Sequence, residues 1–66
     1  MEQWATYADA ARLVRVPEAT IRWWVHRGRK GEGMAIRTAR IRRRLHVDLH
    51  DVRVAERDSR HAREQS

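Results

Sequence analysis

Arginine is the residue type in this chain with the clearest chemical use. The sequence carries 15 Lys and Arg residues against 9 Asp and Glu, for a formal net charge of +6, and Lys30 is its only lysine. An arginine donates two parallel hydrogen bonds to a phosphate or to the edge of a guanine. This composition therefore favours a polyanionic partner such as a nucleic acid. A GC-rich genome, which encodes arginine readily, would leave the same imprint.

Some of these basic residues share one face of a predicted helix, residues 18–27. At about 100° per residue, its apolar side consists of Ile21, Trp24 and Val25, whereas the opposite side presents Ala19, Arg22, Trp23 and His26, flanked by Thr20 and Arg27. The apolar side predicts a buried anchor, and the opposite side is free to meet a partner. We expect Trp23 either to contact that partner or to pack against Trp4 or a neighbouring hairpin. His26 either contacts phosphate or is an ordinary surface histidine.

The ends of this helix are marked in the sequence, and a shorter helix precedes it. Pro17 suits a helix start, and Gly28 predicts a stop after Arg27. Upstream, the Thr6 hydroxyl is expected to cap the amide of Asp9, with the Asp9 side chain reaching back. The apolar stripe of the first helix is predicted to be Ala10, Leu13 and Val14, and Arg15-Val16 to form the turn between the two helices.

A second basic cluster follows the predicted stop. We interpret residues 34–38 and 41–47 as the two strands of a hairpin, because the spacing of the apolar residues fits a strand of period two. The arginines at its tip and flanks are Arg37, Arg40, Arg42, Arg43 and Arg44. The connection lacks the Asn-Gly or Gly-Gly of a tight turn. The alternative is a single helix that carries Ile41, Leu45 and Leu49 at four-residue spacing.

A third helix is expected near the end of the chain. Asp48, followed three positions later by Asp51, has the pattern of a helix cap. Leu49, Val52 and Ala55 would then point inward. Few apolar residues follow Arg57, so the sequence predicts a single folded domain over residues 1–57 and a polar, disordered tail over residues 58–66.

The order of these features resembles a known family. Asp9-Ala-Ala-Arg-Leu-Val, Val16 and Thr20-Ile-Arg-Trp-Trp-Val-His-Arg-Gly28-Arg29, followed by a basic hairpin, are similar to the MerR-type winged helix-turn-helix, in its small excisionase-like and actinobacterial developmental-regulator branch. The resemblance covers roughly residues 5–56. It implies a mainly α fold with a small β-hairpin, the wing, and about three helices.

The resemblance also implies a function. In that family the second helix enters the major groove of DNA, and the wing lies along the backbone or in the minor groove. By position, Thr20 meets a phosphate, Arg22 and Trp23 are recognition positions, and Trp24 belongs to the core. We expect the recognition helix to read base edges, and phosphates to be neutralised by Thr20, Arg27, Arg29 and the wing arginines. Two departures from the family are Pro17 in place of a capping serine and Trp23 in place of a polar or basic residue.

The expected partner is double-stranded DNA, bound by a transcription regulator or by an excisionase that directs phage recombination. One short helix and one wing make a small contact, so we expect copies to associate head to tail on DNA, and an integrase or another DNA-bound protein to act beside them. The alternative is the DNA-binding part of a phage terminase small subunit or another assembly component. RNA binding is disfavoured because exposed aromatic positions on a sheet are missing.

Other classes of function have little support in the sequence. No nucleophile, base and orienting group can be assembled into a catalytic site, so we expect no enzyme and no cofactor. The chain has no cysteine, and His46 and His50 lack a third ligand, so no metal site is expected. Without an apolar run of membrane length or a signal peptide, the expected location is the cytoplasm, on the nucleoid, with no membrane partner.

Overall fold

The computed structural model describes residues 3–65, and the side chains of residues 3–61. Within that range the chain forms three helices and one three-stranded antiparallel sheet. The elements are β1 (Trp4–Thr6), α1 (Tyr7–Val14), α2 (Glu18–Arg29), β2 (Thr38–Ile41), β3 (Arg44–Asp48) and α3 (Leu49–Gln65). The three helices agree with the sequence prediction, and the sheet adds a strand to the predicted hairpin.

Strand β3 is the centre of the sheet, in the order β1-β3-β2. Val47 of β3 is paired with Ala5 on one side and with Thr38 on the other. β1 was not predicted from the sequence, because three residues are too few to show a period of two. The predicted strands, residues 34–38 and 41–47, were placed wrongly: residues 34–37 precede β2 without strand structure, Ile41 belongs to β2, and residues 42–43 form the turn. The pairing rules out the alternative of one helix through Ile41, Leu45 and Leu49.

A two-residue turn, Arg42-Arg43, joins β2 to β3, since Ile41 is paired with Arg44. Both turn residues have positive φ angles, 52° and 66°. Tight hairpin turns require this conformation, which Asn and Gly adopt most easily. The connection is therefore tight although the sequence lacks the usual Asn-Gly signal.

Helix α1 begins as predicted but buries a different face. The Asp9 amide donates to the Thr6 hydroxyl at 3.1 Å. The other half of the predicted capping box is not formed, because the Asp9 carboxylate accepts from Arg12 instead of reaching back. The buried residues of the helix are Ala10 and Ala11, whereas Leu13, which the sequence placed in the apolar stripe, is 55% exposed. The side chains at Ala10 and Ala11 are small, so α2 packs closely on that face. The prediction for Leu13 was wrong because an eight-residue helix shows too few turns to define its buried face.

Helix α2 continues past its predicted stop. Gly28 lies inside the helix, which ends where Gly31 adopts a φ of 73°. The Gly31 amide donates to the Gly28 carbonyl and the Glu32 amide to the Arg27 carbonyl, at 3.2 and 3.0 Å. This is the Schellman arrangement of a left-handed helix cap.

Gly28 has a packing role instead. A Cβ atom at this position would lie 2.5 Å from the Met34 carbonyl oxygen. The absence of a side chain therefore lets the segment after α2 cross the helix closely. This approach carries the chain back toward the sheet.

The core lies around α1, which packs against α2, β3 and α3. Its largest fully buried side chains are Ile21, Val47 and Val52, one each from α2, β3 and α3. Trp24 is half-buried and packs against this cluster. Burial of Leu49, Val52 and Ala55 confirms the predicted inner face of α3.

Helix α3 begins at the predicted cap and runs further than expected. The Asp51 amide donates to the Asp48 carboxylate at 3.1 Å. The helix then continues to Gln65, so residues 58–65 are helical where the sequence led us to expect a disordered tail. Residues with good helix propensity and a Glu56–Arg60 ion pair of 3.4 Å account for part of this extension.

Candidate nucleic-acid interface

Helix α2 presents one exposed face, opposite the core. Ile21 and Val25 are buried, which confirms the apolar side predicted from the sequence. The exposed positions of the helix are Ala19, Arg22, Trp23, His26 and Arg29. At about 100° per residue these five positions form a single arc, so one surface can meet all of them at once.

Trp23 is the largest apolar side chain on this face. It is 55% exposed. Its ring lies against that of His26, with centroids 5.9 Å apart and planes tilted by 32°. The two rings form an aromatic pair among the charged positions of the helix. Such a surface suits contact with bases, sugars or another protein.

The tip of the β2–β3 hairpin concentrates positive charge. Arg40, Arg42, Arg43 and Arg44 are all exposed. The backbone conformation of Arg42 and Arg43 costs roughly 1–2 kcal/mol per residue for a side chain other than glycine. Strain of this kind is commonly retained at functional positions. Asn or Gly at these two positions would adopt the same conformation at a lower cost in free energy.

An open groove of about 450 Å³ lies between α2 and the hairpin. Arg22 lines it from α2, and Arg44 lines it from β3. Thr6 at the end of β1 and Tyr7 and Ala8 at the start of α1 also line it, and the remaining lining residues are Glu18 and Leu45. The groove therefore connects the exposed face of α2 with the cationic hairpin.

The groove contains a carboxylate that the sequence analysis did not single out. Arg22 Nη2 lies 2.9 Å from Glu18 Oε1. Both side chains are accessible, at 42% for Glu18 and 67% for Arg22. The four-residue spacing of the two was a visible signal for an ion pair on a helix. Only the fold shows that this pair faces the hairpin.

Three predicted contact residues have structural roles or limited exposure. The Arg27 guanidinium donates to the Glu32 carbonyl at 2.8 Å and so holds the segment after α2. Thr20 is half-buried. Arg37 lies before β2, away from the Arg42-Arg43 turn, and is tied to α3.

The connection of Arg37 to α3 fixes the base of the hairpin. Its backbone amide donates to the Asp51 carboxylate at 3.0 Å, and its Nε lies 3.4 Å from the same oxygen. The Asp48 amide in turn donates to the Arg37 carbonyl at 2.9 Å. The two buried aspartates therefore hold the hairpin in place relative to α3.

Neither metal ligation nor membrane insertion is indicated for the part of the chain that the structure describes. No three His, Asp or Glu side chains in it are placed to hold a metal ion. None of its helices has both the length and the apolar character needed to cross a bilayer. Comparison with protein-family models, curated proteins and solved structures gives no significant match for this chain.

Proposed function

We propose that this protein binds double-stranded DNA in a sequence-specific manner as a winged helix-turn-helix protein. The observation that carries the proposal is the groove lined by Arg22 of α2 and Arg44 of the hairpin. A DNA duplex at this position would meet cations from both elements. α1 and α2 are the helix pair of this motif, and the β2–β3 hairpin is its wing.

Helix α2 is the recognition helix in this proposal. Its 12 residues span roughly 18 Å at about 1.5 Å per residue. The major groove of B-DNA, about 12 Å wide, admits an α-helix of this size. Arg22, Trp23 and His26 then face base edges, while Arg29 at the end of the helix meets phosphate.

The hairpin supplies contacts to phosphates, which do not depend on the DNA sequence. Arg40, Arg42, Arg43 and Arg44 are exposed along its outer end, and each can replace a counterion on a phosphate. The Asp48 and Asp51 contacts hold the hairpin to α3. Its arginines therefore contact the DNA backbone at a fixed position relative to α2.

Regulation of transcription and phage excision both use DNA contacts of this kind, and we assign the protein to one of these two processes. They differ in the neighbouring genes. An integrase gene beside this one favours excision. A site in the protein's own upstream DNA favours regulation.

The proposal is tested by selecting binding sites from a library of random DNA duplexes. The selected duplex is then titrated with wild-type protein, Arg22→Ala and the control Arg12→Ala. Arg12 forms an ion pair with Asp9 at 2.7 Å and lies outside the groove. Like Arg22, it carries a positive charge and is paired with a carboxylate on its own helix. We expect Arg22→Ala to weaken binding at least about tenfold and Arg12→Ala to have little effect. Equal losses in the two variants would reject α2 as the recognition helix.

A further inference from the structure

We propose that Glu18 and Arg22 together read a single G·C base pair. The inference rests on the proposed DNA-binding function and adds a target chemistry to it. The carboxylate of Glu18 lies in a groove whose other charged side chains are Arg22 and Arg44.

The geometry of the ion pair matches the pattern of a G·C pair. In the major groove, guanine presents the acceptors O6 and N7, and cytosine presents the N4 amino donor. Guanine O6 and cytosine N4 are hydrogen-bonded to each other, at an ordinary donor–acceptor distance of about 2.9 Å. Arg22 Nη2 and Glu18 Oε1 are also 2.9 Å apart. The Arg22 guanidinium can therefore donate to guanine O6 while the Glu18 carboxylate accepts from cytosine N4.

The position of the pair on the helix supports this role. Glu18 is the first residue of α2, and Arg22 lies one turn later. The first turns of a recognition helix are the part that reaches base edges. The comparable ion pair on α1, Asp9 with Arg12, does not line the groove. The ion pair on α2 is therefore the one that meets DNA in the proposed complex.

Glu18 acts as a specificity-determining residue chiefly by rejecting other base pairs. Where adenine replaces guanine and thymine replaces cytosine, the carboxylate loses the cytosine amino donor and is repelled by the thymine O4 acceptor. It also repels phosphates on any misplaced duplex. A cytosine amino group in register offsets this repulsion, so the carboxylate lowers affinity for sequences with thymine at that position more than for the correct one.

The test measures affinity for the selected duplex and for every single base-pair substitution of it. Wild-type protein, Glu18→Ala and the control Asp9→Ala are compared after thermal melts show that all three are folded. Asp9, like Glu18, is an acidic residue in the first turn of its helix and is paired with an arginine. The control therefore removes the same charge from a matched position outside the groove.

For wild type we expect one G·C position at which a change to A·T weakens binding about ten- to a hundredfold. In Glu18→Ala the discrimination at that position falls to a few fold, because affinity for the substituted duplex rises. Other positions keep their discrimination, and Asp9→Ala retains the wild-type profile.

Two results would overturn the inference. In the first, Glu18→Ala and Asp9→Ala have the same profile. In the second, Glu18→Ala raises affinity for all duplexes by the same factor, so that Glu18 acts only by general repulsion. Both leave the proposed DNA-binding function intact. Failure of the wild-type protein to select any sequence would reject that function, and the inference with it.

Discussion

Arg42 and Arg43 occupy the two central positions of the β2–β3 turn, both with positive φ. An arginine at such a position costs free energy that Asn or Gly would not. The two residues bring positive charge to the outermost part of the hairpin. Whether these arginines are retained for function can be tested by measuring the stability and the DNA affinity of the same turn variant.

Replacing the turn by Arg42→Asn with Arg43→Gly should stabilise the fold and weaken DNA binding. We expect the free energy of unfolding to rise by about 1–3 kcal/mol, since Asn-Gly is the preferred pair for this turn. Urea denaturation measures this change. Arg44→Asn, in the adjoining strand, removes a charge without relieving a strained residue and serves as the control. An unchanged or lower stability of the double variant would mean that the turn is not strained.

Gly28→Ala should destabilise the protein. The added methyl group would lie 2.5 Å from the Met34 carbonyl oxygen, and relieving that contact requires a backbone shift. We expect a loss of about 1–3 kcal/mol, the usual range for overpacking. Gly33→Ala is the control, because its nearest neighbour would lie at an ordinary 3.8 Å. Thermal melts followed by circular dichroism distinguish the two, and equal melting temperatures would contradict the close approach at Gly28.

The adjacent tryptophans of α2 should respond differently to replacement by alanine. Trp24 packs against the core, so Trp24→Ala is expected to lose about 3 kcal/mol, at the lower end of the range for buried aromatic residues. That loss is a large fraction of the stability of a small domain. Trp23→Ala should melt like wild type but bind DNA more weakly. A stable Trp24→Ala protein would show that the core face of α2 has been misassigned.

The hairpin arginines should determine much of the salt dependence of DNA binding. If α2 and the hairpin contact about four to six phosphates, the log–log slope of affinity against salt is about −4 to −5. Changing Arg42, Arg43 and Arg44 to Ala should make the slope shallower by up to about three units while sequence preference is largely kept. The α3 variant with Arg53, Arg57 and Arg60 changed to Ala loses the same charge, and none of those residues lines the groove. An unchanged slope with lost preference in the hairpin variant would mean that its arginines read bases.

The sequence predicted the helices more accurately than the sheet, for physical reasons. Ile21 and Val25 recur at helical spacing on a helix long enough to show its period, whereas the three residues of β1 carry no pattern. The left-handed conformation at Arg42 and Arg43 is imposed by pairing between β2 and β3, so the local sequence could not indicate it. Gly28 was misassigned as a helix stop because a close approach of another segment and a helix end both favour glycine.

The candidate interface was predictable only in part. The exposed face of α2 follows from periodicity, so Arg22, Trp23 and His26 could be identified from the sequence. The groove depends on how the hairpin stands beside α2, and that depends on the contacts of Arg37 with Asp48 and Asp51. These contacts join residues far apart in sequence. The place of Glu18 in the interface could not be anticipated for the same reason.

The measurement that tests the central claim most directly is the ratio of affinities for a selected duplex and for a shuffled duplex of the same length and composition. Fluorescence anisotropy at physiological salt provides both dissociation constants. A sequence-specific protein is expected to prefer its site by at least about a thousandfold. Equal affinities for the two duplexes would mean that the arginines bind DNA only through its charge, and would contradict the assignment of α2 as a recognition helix.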